Sequence, residues 1–276
     1  MDKLRFGTAG IPITTEKRNT LNGIKRVREL GLENMELEFV RSVNISEEKA
    51  PGVKEIAKKN DVELTCHGQY FINLNSLEVE KITASKQRIF KAAKIASLCG
   101  AKSMTFHAAY YMKQDPEKVY QKVKEGMKEV LKKLQDESHN IMVRPETTGK
   151  ATQWGDLQET VRLSEELEQV LPCIDFSHLH ARTGGKNNTT AEFRDQLSLV
   201  EKKLGREALD NMHIHLSGIN YSEKGERNHL ILEESDMNYK DLLKVWKEFK
   251  IKGVVVCESP NIEQDSLLLQ KFFKKI

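Results

Sequence analysis

The sequence lacks any apolar run that approaches the roughly 18 residues a membrane-spanning helix needs. Its beginning, MDKLRFGTAG, contains neither the apolar stretch nor the cleavage site of a signal peptide. It has only four cysteines, and none of them shows paired spacing such as Cys-x-x-Cys. We therefore expect a cytoplasmic protein with no membrane partner, whose cysteines remain thiols.

Two phosphate-binding motifs are also absent. No Gly-x-Gly-x-x-Gly follows the first apolar run, and no Gly-x-x-x-x-Gly-Lys-Ser/Thr occurs in the sequence. No Pro/Ser-rich linker divides the chain, and no segment is of low complexity. These absences argue against a nucleotide-binding fold built on an open, doubly wound sheet.

The composition is that of a protein with a large core. Hydrophobic residues make up 38% of the chain and charged residues 31%, which suits an apolar interior beneath a heavily charged helical exterior. The formal net charge is +3 and the isoelectric point is near 8.5. This mild excess permits a polyanionic partner without requiring one.

Eight short β-branched or apolar runs predict strands, and helical patterns with apolar residues at three- and four-residue steps follow most of them. The repeat of roughly 36 residues suits a strand, a helix and two loops. Residues 1–276 are therefore predicted to form a single-domain (β/α)8 TIM barrel with its active site at the C-terminal face of the strands, and an open sheet is the alternative. The runs lie near Leu4–Phe6, Met35–Val40, Val62–Cys66, Ser103–Phe106, Ile141–Val143, Cys173–Ile174, His213–Leu216 and Val254–Cys257. The helical patterns include Leu77–Leu98, Pro116–Leu134, Asp156–Val170, Thr190–Leu204 and Tyr239–Phe249.

Candidate metal ligands fall at or near the ends of six consecutive predicted strands. In a (β/α)8 barrel those ends open onto one face, so residues distant in sequence meet in space. Imidazole and carboxylate groups are good ligands for zinc and manganese, and a shared carboxylate can bridge two ions. The pattern predicts a metal site in the barrel mouth. Its candidates, in strand order, are His67, His107, Glu146, Asp175 with His178, His215 and Glu258.

Each candidate also has a simpler structural explanation. A lone histidine at a strand end is more often a hydrogen-bonded core or rim residue than a ligand, and only the recurrence across strands favours metal. For Glu146 the alternative is a salt bridge to Arg144, since alternate residues of a strand face the same side. His180 and His213 are weaker candidates. His213 shares the face of His215 but sits one layer deeper, where it would orient a ligand.

The strand ends resemble motifs of the endonuclease IV family of DNA-repair enzymes, from the third strand to the eighth. The segment HGQYFINL, which begins at His67, is similar to the family's His-x-x-Tyr-Leu-Ile-Asn-Leu. The fourth strand ends in Phe-His at residues 106–107. PETTGK from residue 145 resembles the Glu-Asn/Thr-x-Gly signature, and CIDFSH from residue 173 resembles Cys-x-Asp-x-x-His. ESP from residue 258 is similar to Glu-Thr/Ser-Pro.

The seventh strand and the loop after it depart from the family pattern. His-Leu-Ser from residue 215 is similar to the family's His-Leu/Phe-Asn/Ser-Asp, but Gly218 stands at the position of the acid. His229 matches the histidine of an Asp-x-His pair, whereas Arg227 occupies the position of the aspartate. Either Glu226 substitutes through a small loop shift, or the third metal site of the family is altered or unused.

The resemblance implies a zinc cluster of two or three ions, with manganese as the alternative metal. It implies hydrolysis of the phosphodiester 5′ to an abasic site in duplex DNA, with Glu146 and Glu258 as catalytic residues. The ligand sets it implies are His67, His107 and Glu146 for a first ion, Glu146, Asp175, His215 and Glu258 for a second, and His178 with His229 for a third.

The resemblance also implies a DNA-binding rim. Tyr70 and Phe71 match the positions that push into the duplex beside the lesion, and a hydrophobic cap over the barrel is the alternative explanation. Arg41, just past the second strand, is a candidate phosphate or stacking contact. Lys150 and Lys186 are candidate phosphate contacts, with solvated surface charge as their alternative.

Two other functions stay open on the sequence. A single-metal sugar isomerase or epimerase of the xylose-isomerase-like superfamily shares the barrel and would use Glu146, Asp175, His215 and Glu258. The additional histidines favour the nuclease, whereas the departures after the seventh strand weaken it. A barrel that binds damaged DNA without cutting it is the other alternative. We expect a monomer.

Overall fold

The computed structural model describes residues 2–276 and contains an eight-stranded parallel sheet. Its strands are β1 (Leu4–Ala9), β2 (Asn34–Glu38), β3 (Glu63–His67), β4 (Ser103–Phe106), β5 (Met142–Pro145), β6 (Cys173–Asp175), β7 (Met212–Leu216) and β8 (Gly253–Cys257). Neighbours pair in the order β5, β4, β3, β2, β1, β8, β7, β6.

The sheet closes nearly into a barrel where β5 meets β6. Val143 forms a parallel bridge with Val170, and Glu146 forms one with Cys173. The amide of Thr147 donates to the carbonyl oxygen of Cys173 at 3.0 Å. Eight parallel strands with helices between them confirm the predicted (β/α)8 TIM barrel class.

Ten helices flank the strands in the described part of the chain. They are α1 (Thr20–Glu29), α2 (Ala50–Lys59), α3 (Val79–Leu98), α4 (Pro116–Asp136), α5 (Leu157–Glu166), α6 (Phe176–Arg182), α7 (Thr190–Leu204), α8 (Arg206–Leu209), α9 (Tyr239–Glu248) and α10 (Glu263–Lys275), with a 3-10 turn at Leu232–Glu234. Within residues 2–276, no helix combines the length and apolar character that crossing a membrane requires.

Helix α5 is shorter than the pattern Asp156–Val170 predicts. It begins as expected, because the Asp156 side chain accepts a hydrogen bond from the amide of Glu159 in a capping box. It ends at Glu166, since Leu167 is extended and Val170 leaves the helix to bridge with Val143. The last residues of the amphipathic pattern therefore leave the helix because Val170 is needed to close the sheet.

Two short antiparallel sheets stand among the loops that follow the barrel strands. Ala109–Tyr110 pairs with Gln153–Trp154, and Gly218–Ser222 pairs with Gly225–Leu230 after β7. In the second hairpin, Asn220 pairs with Asn228 and Tyr221 with Glu226. Arg227 is consequently the extra residue of a β-bulge, which changes the direction in which its neighbours point.

Candidate metal centre

Glu146 lies at the middle of the barrel mouth, just after β5, and is 1% exposed. Proline at position 145 ends the strand and fixes the backbone immediately before this carboxylate. Four imidazoles from four other strand ends surround its two oxygens. The distances from the carboxylate are 3.3 Å to His67 Nε2, 3.3 Å to His107 Nε2, 3.2 Å to His178 Nδ1 and 3.4 Å to His215 Nδ1.

Two further carboxylates complete the cluster. Asp175 ends β6 and caps α6, because its Oδ1 accepts from the amide of His178 at 2.7 Å. Glu258 follows β8, with its Oε1 3.4 Å from Nδ1 of His215. The structure thus brings the predicted ligands of six strands into one mouth, as the positions of the strand ends required.

Several potential metal-ligand atoms in this mouth have no hydrogen-bond partner among residues 2–276. They are Glu146 Oε1 and Oε2, Asp175 Oδ2, Glu258 Oε2 and His215 Nδ1, all buried. Burying unpaired carboxylate oxygens is costly unless a cation compensates their charge. The donor set of imidazoles and carboxylates is the one that zinc and manganese take, so the residues fit a metal centre.

The ligand atoms fall into groups whose members lie within 4.8 Å of one another. One group joins the β3 and β4 histidines to the central glutamate, a second gathers three carboxylates around the β7 histidine, and a third lies at the outer edge. A fourth group, Cys173, His213 and His215, lies deeper. The first three are His67, His107 and Glu146; Glu146, Asp175, His215 and Glu258; and His178, His229 and Glu258.

Backbone carbonyls orient three of the histidines. Nδ1 of His67 lies 2.7 Å from the carbonyl oxygen of the next residue, at position 68. Nδ1 of His178 lies 2.9 Å from the carbonyl oxygen of Thr147, and Nδ1 of His229 lies 3.1 Å from that of Glu258. In a neutral ring, donation from Nδ1 leaves Nε2 unprotonated and available as a ligand. This carbonyl support is the usual outer-shell arrangement of metal-binding histidines.

Glu226 points into the third group in place of the missing aspartate. Its Oε2 lies 3.7 Å from Nε2 of His178, and its Oε1 lies 4.0 Å from Nε2 of His229. The bulge at Arg227 explains this, since an extra residue moves the carboxylate at position 226 to the side that a regular strand would give to position 227. Arg227 itself is exposed.

Gly218 cannot carry the acid that the family pattern places there. A Cβ at this position would lie 2.3 Å from the carbonyl oxygen of Ile231, closer than real Cβ contacts allow. The first strand of the hairpin therefore packs its backbone directly against the segment that follows the second strand. The glycine is a packing requirement of this hairpin.

Without metal, three histidines of the cluster, His67, His178 and His215, hold protons. Burial alone would lower the pKa of His67, but its contact with Glu146 outweighs burial and raises it to about 10. Despite burial, the pKa of His178 is raised well above its usual range by Asp175 and Glu146, and that of His215 by Cys173 and the neighbouring carboxylates. Burial raises the pKa of Asp175 to about 6. Binding of a divalent cation would displace these protons.

The sequence reasoning missed Glu36, a fully buried residue of β2. Its Oε1 lies 2.9 Å from Nε2 of His215, and its Oε2 lies 2.9 Å from Nε2 of His213. Ser103 Oγ lies 3.0 Å from Nδ1 of His213, which completes a buried polar layer beneath the cluster. His213 thus sits one layer below the ligands, where it shares a carboxylate with His215.

Glu38 was also missed and lies two residues further along β2. One of its carboxyl oxygens is buried without a hydrogen-bond partner among residues 2–276. Burial and the charge of Glu36 raise its pKa to about 8, so this carboxyl is neutral at pH 7 in the metal-free protein. The sequence did hold a signal for both residues. Glu36 and Glu38 alternate with apolar residues in the β2 segment, and packing alone does not require acids there.

Arg144 does not pair with Glu146, so the salt-bridge alternative is wrong. The guanidinium of Arg144 is buried and donates to the carbonyl oxygens of Pro172 at 3.1 Å and Asn211 at 2.8 Å. His180 lies outside the cluster, with Nε2 3.0 Å from Asp236 Oδ1.

The candidate nucleic-acid residues lie on the rim. Tyr70 is 60% exposed and Phe71 67% exposed, so neither forms a buried cap over the barrel. The Tyr70 ring meets the edge of the His67 ring at 5.6 Å between centroids. Arg41 is exposed beside them, since its carbonyl oxygen accepts from Gln69 Nε2 at 3.2 Å. Lys150 and Lys186 contribute backbone carbonyl oxygens that bind Arg182 and His180.

Comparison with known proteins places this barrel in a family. A family model described as xylose isomerase-like TIM barrel matches residues 24–276. The chain belongs to this family. The strand-end motifs predicted a relationship to the endonuclease IV family. The match to the xylose isomerase-like TIM barrel family confirms that relationship.

Individual proteins also resemble this member of the xylose isomerase-like family over its length. An uncharacterized protein of Methanocaldococcus jannaschii is 46% identical over 99% of this chain and 98% of its own. Endonuclease IV from Thermus thermophilus superposes with a TM-score of 0.75 at 16% identity, covering 99% of this chain and 100% of that one. A D-tagatose 3-epimerase-like protein gives a TM-score of 0.74 at 16% identity, covering 98% and 96%. The two solved structures share the fold and leave the reaction undecided.

Proposed function

We propose that this chain is a zinc-dependent endonuclease that hydrolyses the phosphodiester 5′ to an abasic site in duplex DNA. The observation that carries the proposal is the number of imidazoles around one carboxylate, with four ring nitrogens within 3.4 Å of Glu146. A single ion beside a sugar has no use for so many ligands, whereas a phosphodiester is held between two or three ions.

Each ligand group has a role in this proposal. Glu146 belongs both to the group of His67 and His107 and to the group of Asp175, His215 and Glu258, each of which would hold an ion, and His178, His229 and Glu226 would hold a third. When bound, the ions offset charge on the phosphate oxygens and favour deprotonation of water.

Glu258 is the proposed proton acceptor. Its Oε2 is buried, has no hydrogen-bond partner among residues 2–276 and lies beside the shared carboxylate. Burial would raise the pKa of Glu258, but the charge of His215 outweighs it and lowers the pKa to about 2 in the metal-free protein. An unpaired carboxylate in this position would take a proton from the attacking water.

The exposed rim supplies substrate recognition. Tyr70 stands between the cluster and solvent, and Phe71 follows it at 67% exposure. An aromatic pair in this position can enter the stack beside a nucleotide that has lost its base, where no base resists insertion. Arg41, exposed beside the pair, is placed to contact a phosphate.

A single-metal sugar epimerase is the second candidate. It is favoured by the group of Glu146, Asp175, His215 and Glu258, which forms a complete ligand set on its own. The remaining histidines and the exposed aromatic rim have no role in that reaction. A DNA-binding protein without catalysis would leave the whole cluster without a role.

The test is cleavage of a duplex oligonucleotide with one abasic site by metal-free protein that receives zinc or manganese, with an intact duplex and ketohexoses as parallel substrates. We expect two or three zinc ions per chain and cleavage that chelator abolishes. Glu146→Gln should be inactive, whereas His139→Ala, which changes a histidine before β5 that contacts Glu137, should match wild type. One ion per chain with epimerised ketose, or no cleavage with any metal, would remove the nuclease.

A further inference from the structure

A second group of exposed apolar side chains lies in the loop after β4. Tyr110 is 40% exposed and Met112 is 44% exposed. We call residues 110–113 the β4 platform. They border an open groove of about 600 Å³ whose other walls are Asn73, Ala151 and Thr152. Soluble proteins that display clustered large apolar groups usually use them for binding.

The β4 platform is held rigidly. The Tyr111 amide donates to the carbonyl oxygen of Thr152 at 3.0 Å, and its hydroxyl donates to Glu159 at 2.7 Å. Met112 and Lys113 both have positive φ, at 50° and 60°, a conformation that non-glycine residues adopt at some cost. A surface loop that retains such backbone strain in two successive residues presents its side chains in a fixed arrangement, which reduces the entropy lost on binding.

Asn73 joins the platform to the aromatic pair proposed to enter the duplex. Its Oδ1 accepts from the Tyr110 amide at 3.3 Å, and its Nδ2 lies 3.5 Å from the Met112 sulfur. Asn73 is the second residue after Phe71 in the same loop. The platform therefore continues the rim that begins at Tyr70.

Positive charge surrounds this rim. Lys122 Nζ donates to the amide oxygens of Asn75 at 2.9 Å and Gln114 at 3.0 Å, which leave its charge uncompensated. Arg88 donates to the carbonyl oxygen of Phe71 at 2.9 Å. In the described residues, none of the rim cations takes part in a salt bridge. They are Arg41, Arg88, Lys113, Lys122 and Lys150.

We propose that the β4 platform is a second nucleic-acid contact surface, which binds nucleotides that flank the cleaved phosphodiester. Tyr110 and Met112 pack against sugars or bases of these nucleotides, and Lys113 and Lys122 contact their phosphates. Apolar groups interleaved with unpaired cations suit a polyanion with flat bases better than a protein face, which would have to bury those charges. The inference rests on the proposed function.

The test compares Tyr110→Ala/Met112→Ala with wild type and with Leu21→Ala, which removes an equally exposed apolar group from α1. Binding of a duplex with one abasic site is measured in chelator, so that cleavage does not interfere. We expect affinity to fall about tenfold or more in the double variant and to stay unchanged in Leu21→Ala. Lys113→Ala should lower the slope of log affinity against log salt by about one.

Zinc content and thermal unfolding should match wild type in every variant, because these side chains lie on the surface and outside the cluster. If wild type cleaves the abasic duplex and the double variant binds it as tightly as wild type does, the proposal that the β4 platform contacts DNA is refuted. The proposed function then still stands. A wild-type protein that neither binds nor cleaves the duplex overturns both.

Discussion

Glu36→Gln should weaken metal binding although Glu36 is not itself proposed as a ligand. Its two carboxylate oxygens each lie 2.9 Å from an Nε2 atom, one of His215 and one of His213. The negative charge of Glu36 beside Nε2 favours the proton of His215 on that atom and away from Nδ1, the atom that faces Glu146 and Glu258. The carboxylate therefore selects the tautomer in which His215 can bind a metal.

Glutamine has the same shape but only one acceptor. Its amide nitrogen would face one of the two Nε2–H groups as a second donor, so one histidine must change tautomer or lose its partner. Loss of such outer-shell carboxylates typically weakens metal affinity about 10- to 100-fold. This corresponds to about 1.4–2.8 kcal/mol of binding free energy, which is measurable by competition with a chromophoric zinc chelator at pH 7.

Glu38→Gln is the matched control. Glu38 lies on the same strand and is partly buried, but burial and the charge of Glu36 raise the pKa of its carboxyl to about 8, so the neutral form predominates at pH 7 in the metal-free protein. Replacement by a neutral amide should change zinc affinity less than threefold. The reasoning is refuted if Glu36→Gln folds normally, as judged by circular dichroism and unfolding in chelator, and still binds zinc within twofold of wild type.

Three further predictions concern the ligands and their protons. His107→Ala should lower abasic-site cleavage by about 100-fold or more in a gel assay while the metal-free protein unfolds at the wild-type temperature; unchanged cleavage with full zinc content would contradict the assignment. Glu226→Ala should remove one zinc equivalent per chain by mass spectrometry, whereas Arg227→Ala should keep it, and equal counts would exclude Glu226 as a ligand. For His67, the folded pKa of about 10 exceeds the unfolded value near 6.5, so its contribution to metal-free stability is present below pH 6.5 and is lost as pH rises to 10. The urea midpoint without metal should fall over this window while zinc affinity rises, and a midpoint that rises would contradict the proposed protonation.

The sequence predicted the barrel because its two periodicities alternate clearly along the chain. It also predicted the ligand cluster, since parallel strands deliver their ends to one face whatever the loops do. It did not predict Glu36, because pairing of a buried carboxylate with His213 and His215 depends on the register of β2 across the barrel, which no local pattern encodes.

Loop geometry was the other limit. Strict spacing placed Arg227 at the third group, whereas the pairing of Tyr221 with Glu226 opens a bulge that a linear motif does not represent. Arg144 was a second wrong expectation. Alternate residues of a strand share a face, which suggested a contact with Glu146, but the Arg144 guanidinium donates to the carbonyl oxygens of Pro172 and Asn211. The end of α5 at Glu166 followed from sheet closure and not from helical periodicity.

Because Arg227 forms a bulge, Glu226 and His229 can face the same site although three positions separate them in sequence. Deletion of Arg227 would bring Glu226 to the second position before His229, and an uninterrupted strand would then place both side chains on one face. Relatives with one residue more or fewer in this hairpin can thus satisfy the same geometric demand. A search for distant members should therefore align this segment by spatial position and allow a gap.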